Sequence, residues 1–280
     1  MPAIELEVLE NPSSFRKIAA VAWKNMHDAS VYGHLPLDAE PLEAWIAAER
    51  ERTGQRVSFT HCVARAIAVT LKRNPDANCM VRGGRLYRRK QVDVFLQVAL
   101  NMGEDIALGK ADLSGVVIRN ADQLAVHEIE STLKAKVAKL RAGKDAAFSK
   151  TKSLTDRLPP WLLRHVLKLV DRIQYDWNLK VPWLGIPPDP FGGAAVSSVG
   201  MLNVPWGYAP FFPFGRLCCQ LCVSSVREEP VVREGKIEVG RVLHLTVTFD
   251  HRVLDGVQAA RLCHDLQSLL LNPETLNNTP

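Results

Sequence analysis

The chain has 280 residues, 47% of them apolar and 23% charged, with a formal net charge of +5. This is the balance of a globular protein with a large core; no apolar run reaches the roughly 18–20 residues of a membrane span, and the charge is too weak and dispersed to indicate nucleic acid. Met1-Pro2-Ala3-Ile4-Glu5-Leu6-Glu7 has neither a basic nor an apolar leader region, and six cysteines make no dense disulfide framework, so a cytoplasmic chain with free thiols is expected.

Pro12-Ser13-Ser14 precedes a helical pattern over residues 15–23. Residues 41–53 form a second predicted helix and Ser58 to Arg73 a third, stopping before Pro75. Cys79 to Arg82, Gly83-Gly84 and Arg85 to Tyr87 read as a hairpin. Val92 to Leu100 reads as a buried strand, Leu113 to Arg119 as another, and Leu124 to Arg141 as an amphipathic helix with Gly143 as its stop. Residues 145–190 hold six of the seventeen prolines. Among them lies a basic amphipathic helix, Trp161 to Ile173, whose apolar face is expected to carry Leu162, Val166, Leu169 and Ile173. Strands return near 194–199, 216–226 and 240–250, with a turn at Glu234-Gly235 joining the last two. A final helix spans 256–271. Helices and strands alternate without a repeat or linker, which reads as one α/β domain.

The last strand runs directly into Asp250-His251-Arg252-Val253-Leu254-Asp255-Gly256. A histidine at a strand end, in a tight connection, is held with little freedom, which suits a general base. Gly256 is expected to relieve crowding where the chain turns into the helix, and Asp255 to anchor the turn through an ion pair.

D-H-R-V-x-D-G followed by an amphipathic helix resembles the catalytic domain of the 2-oxo acid dehydrogenase acyltransferases, the E2 components, whose fold is shared with chloramphenicol acetyltransferase. Further blocks follow in family order. Phe15-Arg16-Lys17-Ile18-Ala19 is similar to the opening R-K-x-I-A helix, and Val92-Asp93-Val94 through Val98-Ala99 to the central buried strand. Val117-Ile118-Arg119-Asn120-Ala121-Asp122 is similar to V-I-R-x-A-D, and Gly192 through Met201 to the family's G-G-x-F-T-I-S-N-L-G-M strand.

The resemblance implies a two-layer α/β fold, a mixed β-sheet with helices packed on it, assembled as a homotrimer with active sites at subunit interfaces. It implies that His251 deprotonates a thiol and that Ser197 of the neighbouring subunit donates to the tetrahedral oxyanion, with Ser198 as the rival. It implies that Asp255 is structural and pairs with Arg16. Coenzyme A or an acyl-CoA is the expected substrate, lipoamide a second one not carried by this chain, and no metal is expected. Lipoyl-bearing or dehydrogenase-complex proteins are the expected partners.

Three features depart from the family. Residues 1–280 read as catalytic domain alone, without a lipoyl domain, a peripheral-subunit-binding domain or a swinging linker. The segment 145–190 is an insertion. Asn101 to Ser114 does not match the family's short connection. Two other functions therefore stand beside CoA-dependent acyl transfer: a non-catalytic trimeric assembly module, and an O- or N-acyltransferase acting on a free small molecule.

Two further features read as structural. Cys218, Cys219 and Cys222 carry a CxxC spacing, but fall where the family has an apolar strand and are expected to pack in the core. Arg82, Arg85, Arg88, Arg89 and Lys90 are expected to form a solvated hairpin face, with contact to CoA phosphates as the alternative.

Overall fold

A computed structural model describes residues 5–8, 29–99, 113–142, 158–181, 186–212 and 214–278. The predicted opening helix with Arg16, the stop at Gly143, most of the segment from Asn101 to Ser114, and residues 145–157 and 182–185 of the insertion lie outside the described residues.

Helix α1 (Glu40–Thr53) starts with Pro41 in its first turn, where a missing N–H costs nothing, and closes on Gly54 in the left-handed region. Helix α2 (Phe59–Arg73) begins with a capping box between Ser58 and His61. Every residue from His61 to Leu71 is buried, so this helix is enclosed on all sides. Strands β3 (Cys79–Arg82) and β4 (Arg85–Arg89) form the predicted hairpin, with φ of 55° and 73° at Gly83 and Gly84. With β1 (Leu6–Val8) they make a small antiparallel sheet in the order β1-β4-β3.

The main sheet uses β2 (Ser30–Asp38), β5 (Val94–Ala99), β6 (Leu113–Ile118), β7 (Ala194–Ser198), β8 (Cys219–Arg233) and β9 (Lys236–Asp250). Their order is β2-β9-β8-β7-β5-β6; β7 runs parallel to β5 and β8, and the other pairs are antiparallel. Strand alternation divides its two faces. Val94, Leu96, Ala194, Val196, Leu221, Leu245 and Val247 point into one continuous core with α1, α2, α3 (Val126–Arg141) and the closing helix α5 (Gly256–Leu271). Phe95, Ala195 and Leu217 belong to a second, smaller apolar cluster. The fold is thus a two-layer α/β structure with a mixed sheet, as expected. Strands β8 and β9 run well past their predicted limits into a long hairpin closed by Glu234-Gly235, whose outer part leaves Val232, Ile237 and Val239 exposed.

The predicted helix in the insertion is α4 (Pro160–Asp171), continued by a wider turn over Arg172–Asp176. Its face is corrected. Leu162, Val166 and Ile173 are half-buried, but Leu169 is exposed, while Val170 and Gln174 are buried and Leu167 is half-buried. Polar anchors set this rotation: Asp171 accepts from Arg216 at 2.7 Å, and Gln174 donates to the Pro187 carbonyl at 2.8 Å. A second correction concerns Arg89, which is buried rather than solvated. It pairs with Asp189 at 2.7 Å, the two side chains being 3% and 6% exposed, and Tyr175 donates to the same carboxylate. Asp189 lies a hundred residues downstream, which is why the basic run gave no sign of the pair.

Candidate active site

The main-chain N–H of His251 donates to the Ala29 carbonyl at 2.7 Å, and the amides of Val253 and Leu254 both donate to the Asp250 carbonyl. This tight reversal brings the His251 ring back on its own backbone, with Nδ1 2.6 Å from the carbonyl oxygen of Leu254. A carbonyl only accepts, so Nδ1 carries the proton and Nε2 the lone pair. The half-buried ring thus presents a basic nitrogen at a strand end.

The residues on either side of His251 form an ion pair that sequence reasoning missed. Arg252 donates to both oxygens of Asp250, at 2.9 and 2.8 Å, with side chains 8% and 3% exposed. The signal was two opposite charges bracketing the histidine where an apolar strand meets an apolar turn.

Asp255 caps α5. Its carboxylate accepts from the amides of Val257 and Gln258, at 2.9 and 3.1 Å, while Gln258 accepts from the Asp255 amide. Its expected partner Arg16 lies outside the described residues. The crowding expected at Gly256 is absent: a side chain there would meet nothing within 4 Å. The tight glycine is Gly192, where the added carbon would come within 2.5 Å of the Asp93 carbonyl and φ is +67°. Asp93 in turn holds Arg119 at 2.6 Å, so the V-I-R and G-G blocks meet at the start of β5.

Ser197 alternates with Val196 and Ser198, so it shares the Ala195 face of the sheet and Ser198 the main-core face. Both are half-buried. Ser197 is level with Cys222 and through it with Thr246, five residues before His251. At about 3.3 Å per residue and about 4.8 Å between strands, Ser197 and His251 of one chain stand about 16 Å apart along the strands and about 10 Å across them. One chain does not bring the two together.

A second polar group on this face was also unforeseen. Glu229 lies 2.8 Å from Nε2 of His244, and Nδ1 of His244 lies 2.8 Å from Nε2 of His34. The carboxylate accepts from Nε2 of His244, and a second hydrogen bond joins the two imidazoles. His34 stacks on Trp206, and Trp206, Tyr208 and Tyr32 form an exposed aromatic patch. The partners are scattered over three strands, and no spacing announces them.

Cys218, Cys219 and Cys222 are buried, as expected. Burial pushes the Cys222 thiol up, and contact with Cys218 together with burial does the same to Cys219. Both remain thiols at neutral pH.

The two-layer fold is that of the chloramphenicol acetyltransferase-like proteins. A chloramphenicol acetyltransferase superposes with a TM-score of 0.51 at 12% identity, covering 95% of this chain and 100% of the other. Within that class, the chain belongs to the family of 2-oxoacid dehydrogenases acyltransferase catalytic domains, whose model matches residues 11–151 and 191–277. The dihydrolipoyllysine-residue acetyltransferase component of the Bacillus subtilis acetoin cleaving system is 24% identical over 81% of this chain and 44% of its own length. The succinyltransferase component of the Escherichia coli 2-oxoglutarate dehydrogenase complex is 22% identical over 82% and 44%. The dihydrolipoamide acetyltransferase of Azotobacter vinelandii superposes with a TM-score of 0.62 at 22% identity, covering 96% of this chain and 93% of the other. The chain spans about half the length of the curated relatives it matches. No helix among the described residues is long and apolar enough to cross a membrane.

Proposed function

We propose that the chain is an acyltransferase that moves an acyl group between coenzyme A and a second thiol, with His251 as general base. The observation that carries this reading is the contact between Nδ1 of His251 and the Leu254 carbonyl, because it leaves Nε2 as the proton acceptor. Nε2 takes the proton of the incoming thiol. The thiolate attacks the thioester carbonyl, forming a new carbon–sulfur bond and a tetrahedral oxyanion. Collapse breaks the original carbon–sulfur bond, and the departing thiolate recovers the proton from the imidazolium. The Ser197 hydroxyl donates to the oxyanion, where charge develops during the reaction.

The separation of Ser197 and His251 in one chain favours a site built from two copies, which each interface of the homotrimer implied by the resemblance supplies. The exposed aromatic patch and the apolar outer part of the β8–β9 hairpin offer surface for such contacts. The Azotobacter vinelandii enzyme supports the residue assignment: a serine, a histidine and an asparagine four residues after that histidine were investigated for roles in its mechanism. Asp255 stands four residues after His251 and serves the turn as a cap. Its pairing with Arg16 remains part of this proposal, as does the reading of residues 1–280 as one catalytic domain with an insertion at 145–190. The acyl donor or acceptor is then a free thiol or a lipoyl-bearing partner, in the cytoplasm.

The test is thiol release from acetyl-, succinyl- and longer acyl-CoAs with dihydrolipoamide, then with small hydroxyl and amine acceptors, for the parent and His251→Ala. Transfer to dihydrolipoamide that is lost in His251→Ala supports the proposal. Transfer only to small acceptors moves the chain to the O- or N-acyltransferase reading, and no transfer to any acceptor leaves the assembly module.

A further inference from the structure

The insertion builds a cavity of about 680 Å³ against the edge of the main sheet, within the roughly 300–1,000 Å³ typical of small-molecule sites. The wall contributed by α4 and by residues 186–190 lies wholly in the stretch that the family model leaves unmatched. The site is therefore a feature of this chain's insertion. Its inner surface is apolar, from Leu167, Val170, Ile186, Phe191 and Phe214 facing Val117 and Leu140 across the space. Gly115 leaves room for the tip of the Phe95 ring, which a side chain there would strike.

The walls are tied in place by polar contacts that leave few of their own groups for a ligand. Gln174 is bonded to Pro187 and Tyr175 to Asp189. Arg119 is held by Asp93 and the Pro188 carbonyl. Asp171 is paired with Arg216, and its Oδ1 is the one polar side-chain atom of the cavity's described lining that is buried without a hydrogen-bond partner. Such an interior suits a hydrocarbon, which asks for no hydrogen bonds. The rim contributed by α3 is cationic: Lys136 donates to the Val117 carbonyl at 2.6 Å, and Lys139, one turn further on the same face, is exposed.

We infer that this cavity binds a straight acyl chain with an anionic end, its tail between α4 and β6 and its head toward the exposed Lys139. A free fatty acid and an acyl-CoA thioester share that chemistry. The inference stands apart from the His251 mechanism, since it concerns binding and uses neither His251 nor Ser197.

Calorimetric titration of the whole chain with decanoate, decanol, decanoyl-CoA and CoA tests it, with near-ultraviolet circular dichroism to check folding. Saturable decanoate binding, one per chain, that Leu167→Trp weakens about ten-fold or more by filling the cavity, supports a free-acid site. If only decanoyl-CoA binds more tightly than CoA, and Leu167→Trp abolishes that gain, the thioester is the source. Val170→Phe serves if Leu167→Trp does not fold. Lys139→Glu, on the surface, should weaken decanoate several-fold and leave decanol unchanged. Binding by His251→Ala should match the parent whether or not the proposed chemistry holds. No saturable decanoate binding together with no gain of decanoyl-CoA over CoA overturns the inference. So does binding indifferent to both filling variants, or decanol binding as tightly as decanoate.

Discussion

Nδ1 of His251 lies 2.6 Å from the carbonyl oxygen of Leu254, three residues further along the chain. The turn that makes this possible closes on the Asp250 carbonyl, and the buried Asp250–Arg252 pair supports it. Replacing Arg252 by Ala leaves the Asp250 carboxylate buried without its cation, a change that costs about 3–5 kcal/mol. Arg252→Ala should therefore lower the midpoint of denaturant unfolding and, by loosening the turn, also lower kcat. A variant with unchanged stability and turnover would show that the pair does not hold the histidine.

Asp255 distinguishes two structural roles. As a helix cap, its loss in Asp255→Ala should cost about 0.5–2 kcal/mol, while Asp255→Asn, which still accepts from the same amides, should cost far less. If an ion pair with Arg16 dominates, Asp255→Asn should destabilise nearly as much as Asp255→Ala. Thermal melts of both variants decide between the two.

His61 makes stability depend on pH. Burial and then the nearby Arg50 charge hold its pKa down to about 4 from the usual 6.5. Its Nδ1 accepts the Ser58 amide at 3.1 Å in the α2 cap, so protonation breaks the cap. The unfolded chain takes up this proton first as pH falls. The stability is therefore fully present above about pH 6.5 and is lost between there and about pH 4, to a total of about 3 kcal/mol. His61→Gln keeps a capping side chain without the titration. Unfolding free energies measured from pH 7 to pH 4 should fall less steeply in that variant.

The family blocks and most element boundaries were legible in the sequence because burial and turn chemistry wrote them locally. Ser58 with its capping partner, Gly83-Gly84 and Glu234-Gly235 each mark an end through short-range geometry. The face carrying Ser197 follows from the two-residue period of a strand. What stayed hidden depends on partners far apart in the chain: Arg89 with Asp189, Asp171 with Arg216, Glu229 with His244 and His34. The rotation of α4 was misread for the same reason, since ion pairs rather than apolar spacing fix it. The role of Asp255 was legible only as an anchor, because a cap and an ion pair use the same residue type.

The C-terminal segment bears on assembly. The resemblance implies that an apolar tail docks trimers into cages. Leu276, the apolar residue of Glu274 to Pro280, is buried within its own chain. Arg65 donates to its carbonyl at 2.8 Å, and Asn277 accepts from the Val126 amide at 3.0 Å. With Leu276 and Asn277 already engaged in their own chain, this segment offers little to a neighbouring trimer, so light scattering on these 280 residues should give about 93 kDa, three times 31.1 kDa. A megadalton particle would show that another surface performs the docking.

The proposed active site is shared between copies, with His251 from one and Ser197 from its neighbour. Coexpression of His251→Ala and Ser197→Ala chains, differently tagged and purified through both tags, tests it most directly. Each variant alone should turn over at least about a hundred-fold more slowly than the parent. In a cyclic trimer of both chains one interface of the three joins the histidine of a Ser197→Ala chain to the serine of a His251→Ala chain, so the doubly purified hybrids should recover about a third of parental activity. Hybrids no more active than the two variants alone would contradict the shared site.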